Sequence, residues 1–99
     1  MALKYVLITP ARNEAVFLDG LLRSVAAQTH LPVRWVIVND GSSDNTDEVV
    51  RRWQQGRPWI ELVSRPARAN RNFAAKVHAF NAGLERLAGL DYDVIGNID

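Results

Sequence analysis

The sequence predicts an α/β domain in which a parallel β-sheet is flanked by helices, with the element order βαβαβαβ. Short apolar runs rich in valine and isoleucine alternate along the 99 residues with longer segments whose apolar residues recur at helical spacing. The apolar runs show no regular polar alternation, which is typical of strands covered on both faces. The segment between the first two runs has a length suited to a right-handed βαβ crossover.

The first half of the chain is expected to form two strands separated by a helix, followed by a second helix. The first strand covers Tyr5–Thr9 and ends at Pro10, and a helix with Asn13 as a candidate N-cap follows over 14–28. The second strand covers 34–39. The residues that the two helices are expected to bury are Phe17, Leu18, Leu21, Leu22 and Val25 in the first, and Thr46, Val49, Val50 and Trp53 in the second.

The second half is expected to add a strand, a long helix and a final strand. The third strand covers Ile60–Val63, and the polar segment 64–71 after it carries three arginines. The long helix begins near Phe73 and ends at Gly89, and the fourth strand covers 93–99. The predicted buried stripe of the long helix comprises Phe73, Val77, Phe80, Leu84 and Leu87. The three tryptophans are expected to pack in or beside the core.

Composition limits the broad class of protein without assigning a function. A chain of 99 residues with 47% apolar and 23% charged residues is typical of one small globular domain. The absence of cysteine excludes disulfides and thiolate metal sites, and the sequence has neither an apolar run of membrane-spanning length nor a signal-peptide pattern. These features fit a cytoplasmic chain. A net charge of +1 gives no reason to expect nucleic acid or an acidic membrane as a partner.

Two aspartates are expected at the carboxyl ends of strands, where open α/β sheets bind their ligands. Asp40 ends the second strand before a turn at Gly41, and Asp99 ends the fourth. Neither His30 nor His78 has partners at metal-ligand spacing. The two carboxylates, without a histidine or cysteine cluster, would suit a hard cation such as Mg²⁺ or Mn²⁺ together with an oxygen-rich ligand. The alternative is structural: Asp40 and the serines after it would form a turn and a helix cap, and Asp99 would be a terminal turn residue.

Basic residues near the same edge allow two interpretations. Lys76 lies about 60° from the centre of the apolar stripe of the long helix, at about 100° per residue. Its ammonium could reach over the strand ends to a phosphate, or it could extend to water while the methylene groups cover the helix surface. Arg65, Arg68 and Arg71 could contact the same ligand or could form a solvated basic loop.

Several nucleotide-binding and catalytic motifs are absent from the sequence. No Gly-x-Gly-x-x-Gly follows the first strand and no Gly-x-x-x-x-Gly-Lys is present, which argues against a dinucleotide oxidoreductase and a P-loop NTPase. No Gly-x-Ser-x-Gly element or Ser–His–acid arrangement is recognisable. A sugar nucleotidyltransferase would carry a glycine-rich basic loop after the first strand, and a receiver-like domain would carry an acidic pair there. The sequence has neither.

Four segments, in the order of the chain, resemble the N-terminal half of the family 2 inverting glycosyltransferases. They are Ile8–Glu14, Val36–Thr46, Phe73–Leu84 and Tyr92–Asp99. The strand followed by Asp-Gly-Ser-Ser-Asp-x-Thr is highly specific, whereas Pro-x-x-Asn-Glu alone is a weak signal. The resemblance covers essentially the whole chain and implies a Rossmann-like GT-A nucleotide-diphosphosugar fold. It also implies that residues 1–99 form the donor-nucleotide-binding part of a GT-A domain and end inside its Asp-x-Asp motif.

The resemblance implies that the donor nucleotide lies at the carboxyl ends of the strands. The backbone of Thr9, Pro10 and Ala11 would line the base pocket, with Glu14 close to the nucleotide. Asp40 would accept a hydrogen bond from a ring N–H of the base, most often uracil. A carboxylate acceptor suits that donor and discriminates against bases that present an acceptor there. The implied donor is therefore a nucleotide-diphosphate sugar, with a UDP-sugar favoured.

The resemblance also implies roles at the phosphates and at a metal. Lys76 would approach the phosphates or the nucleoside. Asp99 matches the first aspartate of Asp-x-Asp, near the ribose and a divalent metal, Mn²⁺ or Mg²⁺, which bridges the pyrophosphate and stabilises the departing nucleoside diphosphate. The second aspartate and the general base would follow residue 99, so no catalytic residue is nominated. The chain is expected to be the donor-binding half of a hexosyltransferase and to be inactive by itself.

Partners and alternatives follow from the same resemblance. The expected partners are the nucleotide-sugar donor and an unidentified sugar or lipid-linked acceptor, as in cell-envelope polysaccharide synthesis, with no nucleic acid. Membrane association, at the inner face, would come only through parts of a longer protein. An alternative from another class is a non-catalytic nucleotide-binding or interaction module of the same fold. A second aspartate two positions after Asp99 and a later acidic residue would favour the enzyme.

Overall fold

The computed structural model of this protein describes residues 3–66 and 73–98, with side chains from Val77 onward in the second range. Four strands alternate with three helices, which confirms the predicted order βαβαβαβ. The strands are β1 (Tyr5–Ala11), β2 (Arg34–Asp40), β3 (Ile60–Arg65) and β4 (Val94–Asn97). The helices are α1 (Ala15–Ala26), α2 (Thr46–Gln54) and α3 (Phe73–Arg86). In the described ranges no helix has the length and apolar character needed to cross a membrane.

The four strands form one parallel sheet with the spatial order β3-β2-β1-β4. Successive strand residues point to opposite faces, so the sheet carries two separate core clusters. One cluster joins the sheet to α1 and α2 and includes Leu7, Trp35 and Ile37. The other joins the sheet to α3 and includes Ile8 and Val36. Helices therefore cover both faces, as the uninterrupted apolar strands predicted.

The prediction that Pro10 ends the first strand is wrong, since β1 continues through Pro10 to Ala11. Backbone groups of the even-numbered β1 residues face β4, as the bond from Ile98 N–H to Ile8 C=O shows. Pairing with β4 ends at Ile8 and Asn97, so the N–H that proline lacks removes no bond from that ladder. The strand can therefore carry a proline at this position.

The predicted buried stripe of α3 is only partly correct. Leu87 is buried and Phe80 is partly buried, as predicted. Val77 and Leu84 are 45% and 36% exposed, so these two assignments are wrong. The side chain of Phe73 lies outside the described residues.

Small residues contribute to the surface of α3 that faces the sheet, beside Phe80. Ala79 is buried in the cluster with β1 and β2. Gly83 lies so close to β1 that an added Cβ would be 2.7 Å from Ile8 Cγ2. The helix backbone can approach the sheet this closely because these positions carry little or no side chain.

The first helix and the tryptophans follow the predictions more closely. Leu18, Leu22 and Val25 are buried beneath α1, whereas Phe17 is 51% exposed, contrary to its predicted burial. The three tryptophans lie in or beside the core as expected. One of them, Trp53 of α2, also donates its indole N–H to Asp19 of α1 over 2.8 Å.

Candidate functional site

The carboxyl ends of β1, β2 and β3 lie together at one edge of the sheet and end at Ala11, Asp40 and Arg65. Because the strands are parallel and consecutive in the sheet, the loops that follow them gather at the same edge. This is the edge at which open α/β sheets bind ligands. The structure thus brings together the predicted site residues of the first two strands.

Asp40 is the buried carboxylate of this edge, with only 5% of its surface exposed. Val36 and Val38 pack in the cluster with α3, so Asp40, two residues further along, projects on the same face of the sheet. Its register neighbour on β3 is Arg65. The Nη1 atom of Arg65 is buried without a hydrogen-bond partner among the residues that the structure describes. Acceptor and donor groups are therefore placed side by side at the edge.

Thr9 and its neighbours end β1 beside Asp40, but the threonine hydroxyl does not face the edge. It accepts a hydrogen bond from the indole N–H of Trp35, 2.9 Å away in the core between β1 and β2. Pro10 and Ala11 are both buried at the end of the strand. The Thr9 hydroxyl is therefore not directed at the edge, and the lining role that the resemblance implies for the backbone of this segment stays a prediction.

Glu14 occupies the N-cap position of α1, so the prediction that Asn13 is the N-cap is wrong. The carbonyl of Glu14 accepts the N–H of Leu18 over 2.8 Å, and its side chain makes no capping bond. Asn13 instead has a φ of 53°, in the left-handed region that few residues other than glycine adopt. Its side chain contacts the loop after β2, where Asn13 Oδ1 accepts the Ser43 N–H.

Four residues join the loop after β1 to the loop after β2, and we call them the loop clasp: Asn13, Ser42, Ser43 and Asp44. The Asn13 N–H donates to Ser42 Oγ over 2.9 Å. In return, Asn13 Oδ1 accepts the N–H groups of Ser43 and Asp44 over 2.7 and 3.3 Å, and the Ser43 hydroxyl also lies 3.3 Å from it. The bonds run in both directions between the two loops.

The carboxylate of Asp44 holds the first turns of two helices. Its Oδ2 accepts the N–H of Ala15, the first residue of α1, over 3.3 Å. Its Oδ1 accepts both the N–H of Thr46, the first residue of α2, over 3.1 Å and the Thr46 hydroxyl. The Thr46 hydroxyl above all, with the backbone N–H groups, lowers the pKa of Asp44 against the opposing effect of desolvation. Asn45 holds the N-cap position of α2 without a capping side-chain bond.

A second polar network fixes the ends of β2 and β3 on the opposite face of the sheet from Asp40. Asp47 of α2 accepts the side-chain N–H of Asn39 over 2.6 Å and the hydroxyl of Ser64 over 2.9 Å. The carbonyl oxygen of the Asn39 side chain accepts the N–H of Ser42 over 3.2 Å. Sequence reasoning missed this role of Asp47. Its first-turn position in α2, three residues after the end of the specific Asp-Gly-Ser-Ser-Asp run, is the signal that could have identified it.

The side chains of the remaining predicted site residues are not among those that the structure describes. Lys76 belongs to α3, but its side chain lies outside the described residues. Asp99, Arg68 and Arg71 also lie outside them. The described ranges contain no group of three or more His, Cys, Asp or Glu side chains that could hold a metal ion. No metal ligand can therefore be assigned among the described residues at this edge. The prediction that Asp99 binds a metal rests on the sequence alone.

Comparison with known proteins gives a consistent result. A family model described as "Glycosyl transferase family 2" matches residues 6–99. An uncharacterised glycosyltransferase of Nostoc is 34% identical over 87 residues, which are 88% of this chain and 26% of the relative. The 4,4'-diaponeurosporenoate glycosyltransferase of Staphylococcus aureus is 34% identical over 93 residues, covering 89% of this chain and 23% of that protein. The chain therefore spans about a quarter of the length of these curated relatives.

A solved structure shares the fold as well. It is a mannosyltransferase from Pyrobaculum calidifontis in complex with GDP-Man and Mn²⁺, which matches with a TM-score of 0.70 and 27% sequence identity. The match covers 87% of this chain and 25% of the mannosyltransferase chain. The predicted GT-A glycosyltransferase fold is thereby confirmed.

Proposed function

The chain belongs to glycosyltransferase family 2, and from this we propose that its sheet edge binds the nucleotide of a sugar donor, most favourably a UDP-sugar. The sugar would pass to an acceptor hydroxyl with inversion at the anomeric carbon. The observation that carries this proposal is Asp40, a buried carboxylate at the carboxyl end of β2. It stands in the segment Val36–Thr46, which most specifically matches the family.

Asp40 would read the nucleobase through a ring N–H. A buried carboxylate accepts hydrogen bonds and donates none when ionised, so it favours bases that present an N–H and disfavours bases that present a ring acceptor. Uracil and guanine both offer such an N–H, and the mannosyltransferase with the same fold was solved with GDP-Man. Uracil remains our proposal for this chain, and GDP is the competitor that the experiment must include.

The neighbouring residues would complete the nucleotide pocket. The backbone of Thr9, Pro10 and Ala11 would form one wall, and Glu14 would lie near the nucleoside. Lys76, in the first half of α3, would approach the phosphates, where an ammonium can neutralise their charge. Because the Thr9 hydroxyl is already bonded to Trp35, its side chain has no part in this proposal.

A divalent cation, Mn²⁺ or Mg²⁺, would accompany the donor, with Asp99 as the residue of this chain that binds it. Such a cation supplies charge stabilisation for a departing nucleoside diphosphate. The mannosyltransferase with the same fold was solved with Mn²⁺, which supports the choice of a divalent metal. Carboxylate oxygen is also the ligand that both cations prefer.

We further propose that residues 1–99 are the donor-binding part of the enzyme, a hexosyltransferase, and do not complete turnover alone. No described residue is nominated as the general base that must deprotonate the acceptor hydroxyl. The acceptor would be a sugar or a lipid-linked acceptor, as in cell-envelope polysaccharide synthesis, and the reaction would take place in the cytoplasm, at the inner face of the membrane. Sugar transfer by the 99-residue chain at a rate typical of such enzymes would contradict this assignment.

The test is a calorimetric titration of UDP and GDP into the protein, with and without Mn²⁺. Asp40→Ala should weaken binding by about 10- to 100-fold, since a hydrogen bond to a charged group contributes about 1.5–3 kcal/mol. Asp91→Ala is the matched control, because it also removes one carboxylate but from an exposed surface pair with Lys4. Binding of GDP alone would keep the fold and change the donor. If the folded protein bound no nucleotide, the interaction module would become the better hypothesis.

A further inference from the structure

We infer that Asn13 is a positioning residue for the donor site: its side-chain carbonyl holds the loop after β1 against the loop after β2. These two loops, 12–14 and 41–45, begin directly after Ala11 and Asp40, the strand ends at which the proposed pocket lies. The inference rests on the proposed function and adds a residue to it that contacts no substrate. Its basis is the loop clasp.

The clasp is a reciprocal set of bonds and not one contact. Asn13 donates its N–H to Ser42 Oγ over 2.9 Å and accepts the Ser43 N–H over 2.7 Å. Asp44, in the loop after β2, also accepts the N–H of Ala15, the first residue of α1, over 3.3 Å. Each loop thus satisfies backbone N–H groups of the other. Separating the loops would break several of these hydrogen bonds at once. Each broken bond would leave a backbone N–H without its acceptor, which is unfavourable in free energy.

The backbone of Asn13 adds a second argument. Its φ of 53° is the only positive value at a non-glycine residue in the parts of the chain that the structure describes. This conformation costs a typical residue about 1–2 kcal/mol, and asparagine and glycine tolerate it best. Glycine would meet the backbone requirement but would supply no carbonyl. Asparagine meets both, so position 13 is suited to the clasp and not merely to a turn.

If the two loops are already held together before the nucleotide binds, less free energy is lost in ordering them on binding. Both loops are short, and the loop after β2 is also held by the bond from the Ser42 N–H to the Asn39 side chain, but the bonds that join the two loops to each other are those of the clasp. If the clasp is intact, the backbone after Ala11 and the carboxylate of Asp40 keep one relative geometry before the nucleotide arrives. Preorganisation of this kind increases affinity because less conformational entropy is lost on binding.

Two substitutions separate the side chain from the backbone requirement. Asn13→Gly keeps the positive φ and removes the carbonyl, whereas Asn13→Asp keeps an oxygen acceptor at the same place. The control is Asp19→Ala, which breaks the 2.8 Å bond from Trp53 and loosens α1 against α2 without removing a bond of the clasp, since the Asp19 carboxylate bonds Trp53 and Arg23. The full protein is titrated with UDP and with GDP in the presence of Mn²⁺, and the melting temperature of each variant is measured in parallel.

We expect Asn13→Gly to raise the dissociation constant about tenfold and Asn13→Asp to stay within about threefold of the wild type. In a transfer assay with a longer protein that contains residues 1–99 and completes turnover, the same loss should appear in KM and not in kcat. Amide hydrogen exchange without ligand should quicken at Ser43 and Asp44 in Asn13→Gly. Asp19→Ala should lower the melting temperature and leave the dissociation constant unchanged.

Three results would overturn the inference. Wild-type affinity in Asn13→Gly would show that the clasp does not position the site. Equal loss of affinity in Asn13→Gly and Asp19→Ala, in proportion to their melting temperatures, would show a general effect of stability. Unchanged exchange at Ser43 and Asp44 would show that the clasp does not hold the loop. Absence of nucleotide binding by the wild type would refute the proposed function itself, and this result is seen before any variant is made.

Discussion

The indole N–H of Trp35 donates a hydrogen bond to the hydroxyl of Thr9 over 2.9 Å, with both side chains buried between adjacent strands. This bond satisfies the polar atom of the largest fully buried side chain in the described core. Because the Thr9 hydroxyl is bonded in the interior, this side chain has no part in the proposed pocket.

Replacing Thr9 by valine tests this bond. The shape is nearly kept, but the indole N–H loses its acceptor inside the core, and we expect a loss of about 1–3 kcal/mol in the free energy of unfolding. Urea denaturation measures it. In the background of Trp35→Phe, which has no N–H, the same substitution should be close to neutral. Equal costs in both backgrounds would show that the bond contributes nothing.

Two glycines in helix interiors should respond to alanine in opposite directions. Gly83→Ala places a Cβ 2.7 Å from Ile8 Cγ2, so we expect destabilisation of about 1–3 kcal/mol from overpacking. Gly20→Ala meets nothing within 4 Å and should stabilise the protein by about 0.4–1 kcal/mol, because alanine restricts the unfolded chain. Thermal or urea unfolding of the two variants gives the comparison. Stabilisation by Gly83→Ala would mean that α3 lies further from the sheet.

Protonation of Asp44 should account for part of the loss in folding stability at acidic pH. Hydrogen bonds from the Thr46 hydroxyl and the backbone N–H groups lower the pKa of this carboxyl below its ordinary 3.8. Its contribution to stability is therefore present above that ordinary value and is lost as the pH falls through the lowered pKa of the folded state. Unfolding measured between about pH 2 and pH 6 should show a flatter acid limb in Asp44→Asn.

Glu61 of β3 should contribute more to the free energy of unfolding than Arg86, one of the two arginines that it pairs with. Its carboxylate, 15% exposed, pairs with Arg34 of β2 over 3.0 Å and with Arg86 of α3. Glu61→Gln leaves two cations without their shared anion, and we expect a loss of about 1–3 kcal/mol in urea denaturation. Arg86→Met removes only a surface-exposed partner and should cost less than about 1 kcal/mol. If Arg86→Met proved the more damaging change, this order of importance would be wrong.

The sequence predicted the fold because its signals are local. Apolar runs and helical spacing are properties of ten or fifteen neighbouring residues, and they gave the order of elements and most boundaries to within two residues. The specific run around Asp40 likewise gave the strand end at which the site is proposed. These inferences needed no knowledge of which elements touch, since each follows from the period of the side chains along one segment.

The sequence by itself thus determined the βαβαβαβ order, the family and the edge of the sheet at which Asp40 lies. The tertiary structure decided which polar groups satisfy one another and which face of α3 is buried. Thr9 and Trp35 are 26 residues apart, and Asn13 and Ser43 are 30 residues apart, so no local pattern connects them. The face of α3 depends likewise on how closely Gly83 lets its backbone approach Ile8. Contacts between distant segments exist only once the sheet has assembled, and they fix both loops beside the proposed pocket.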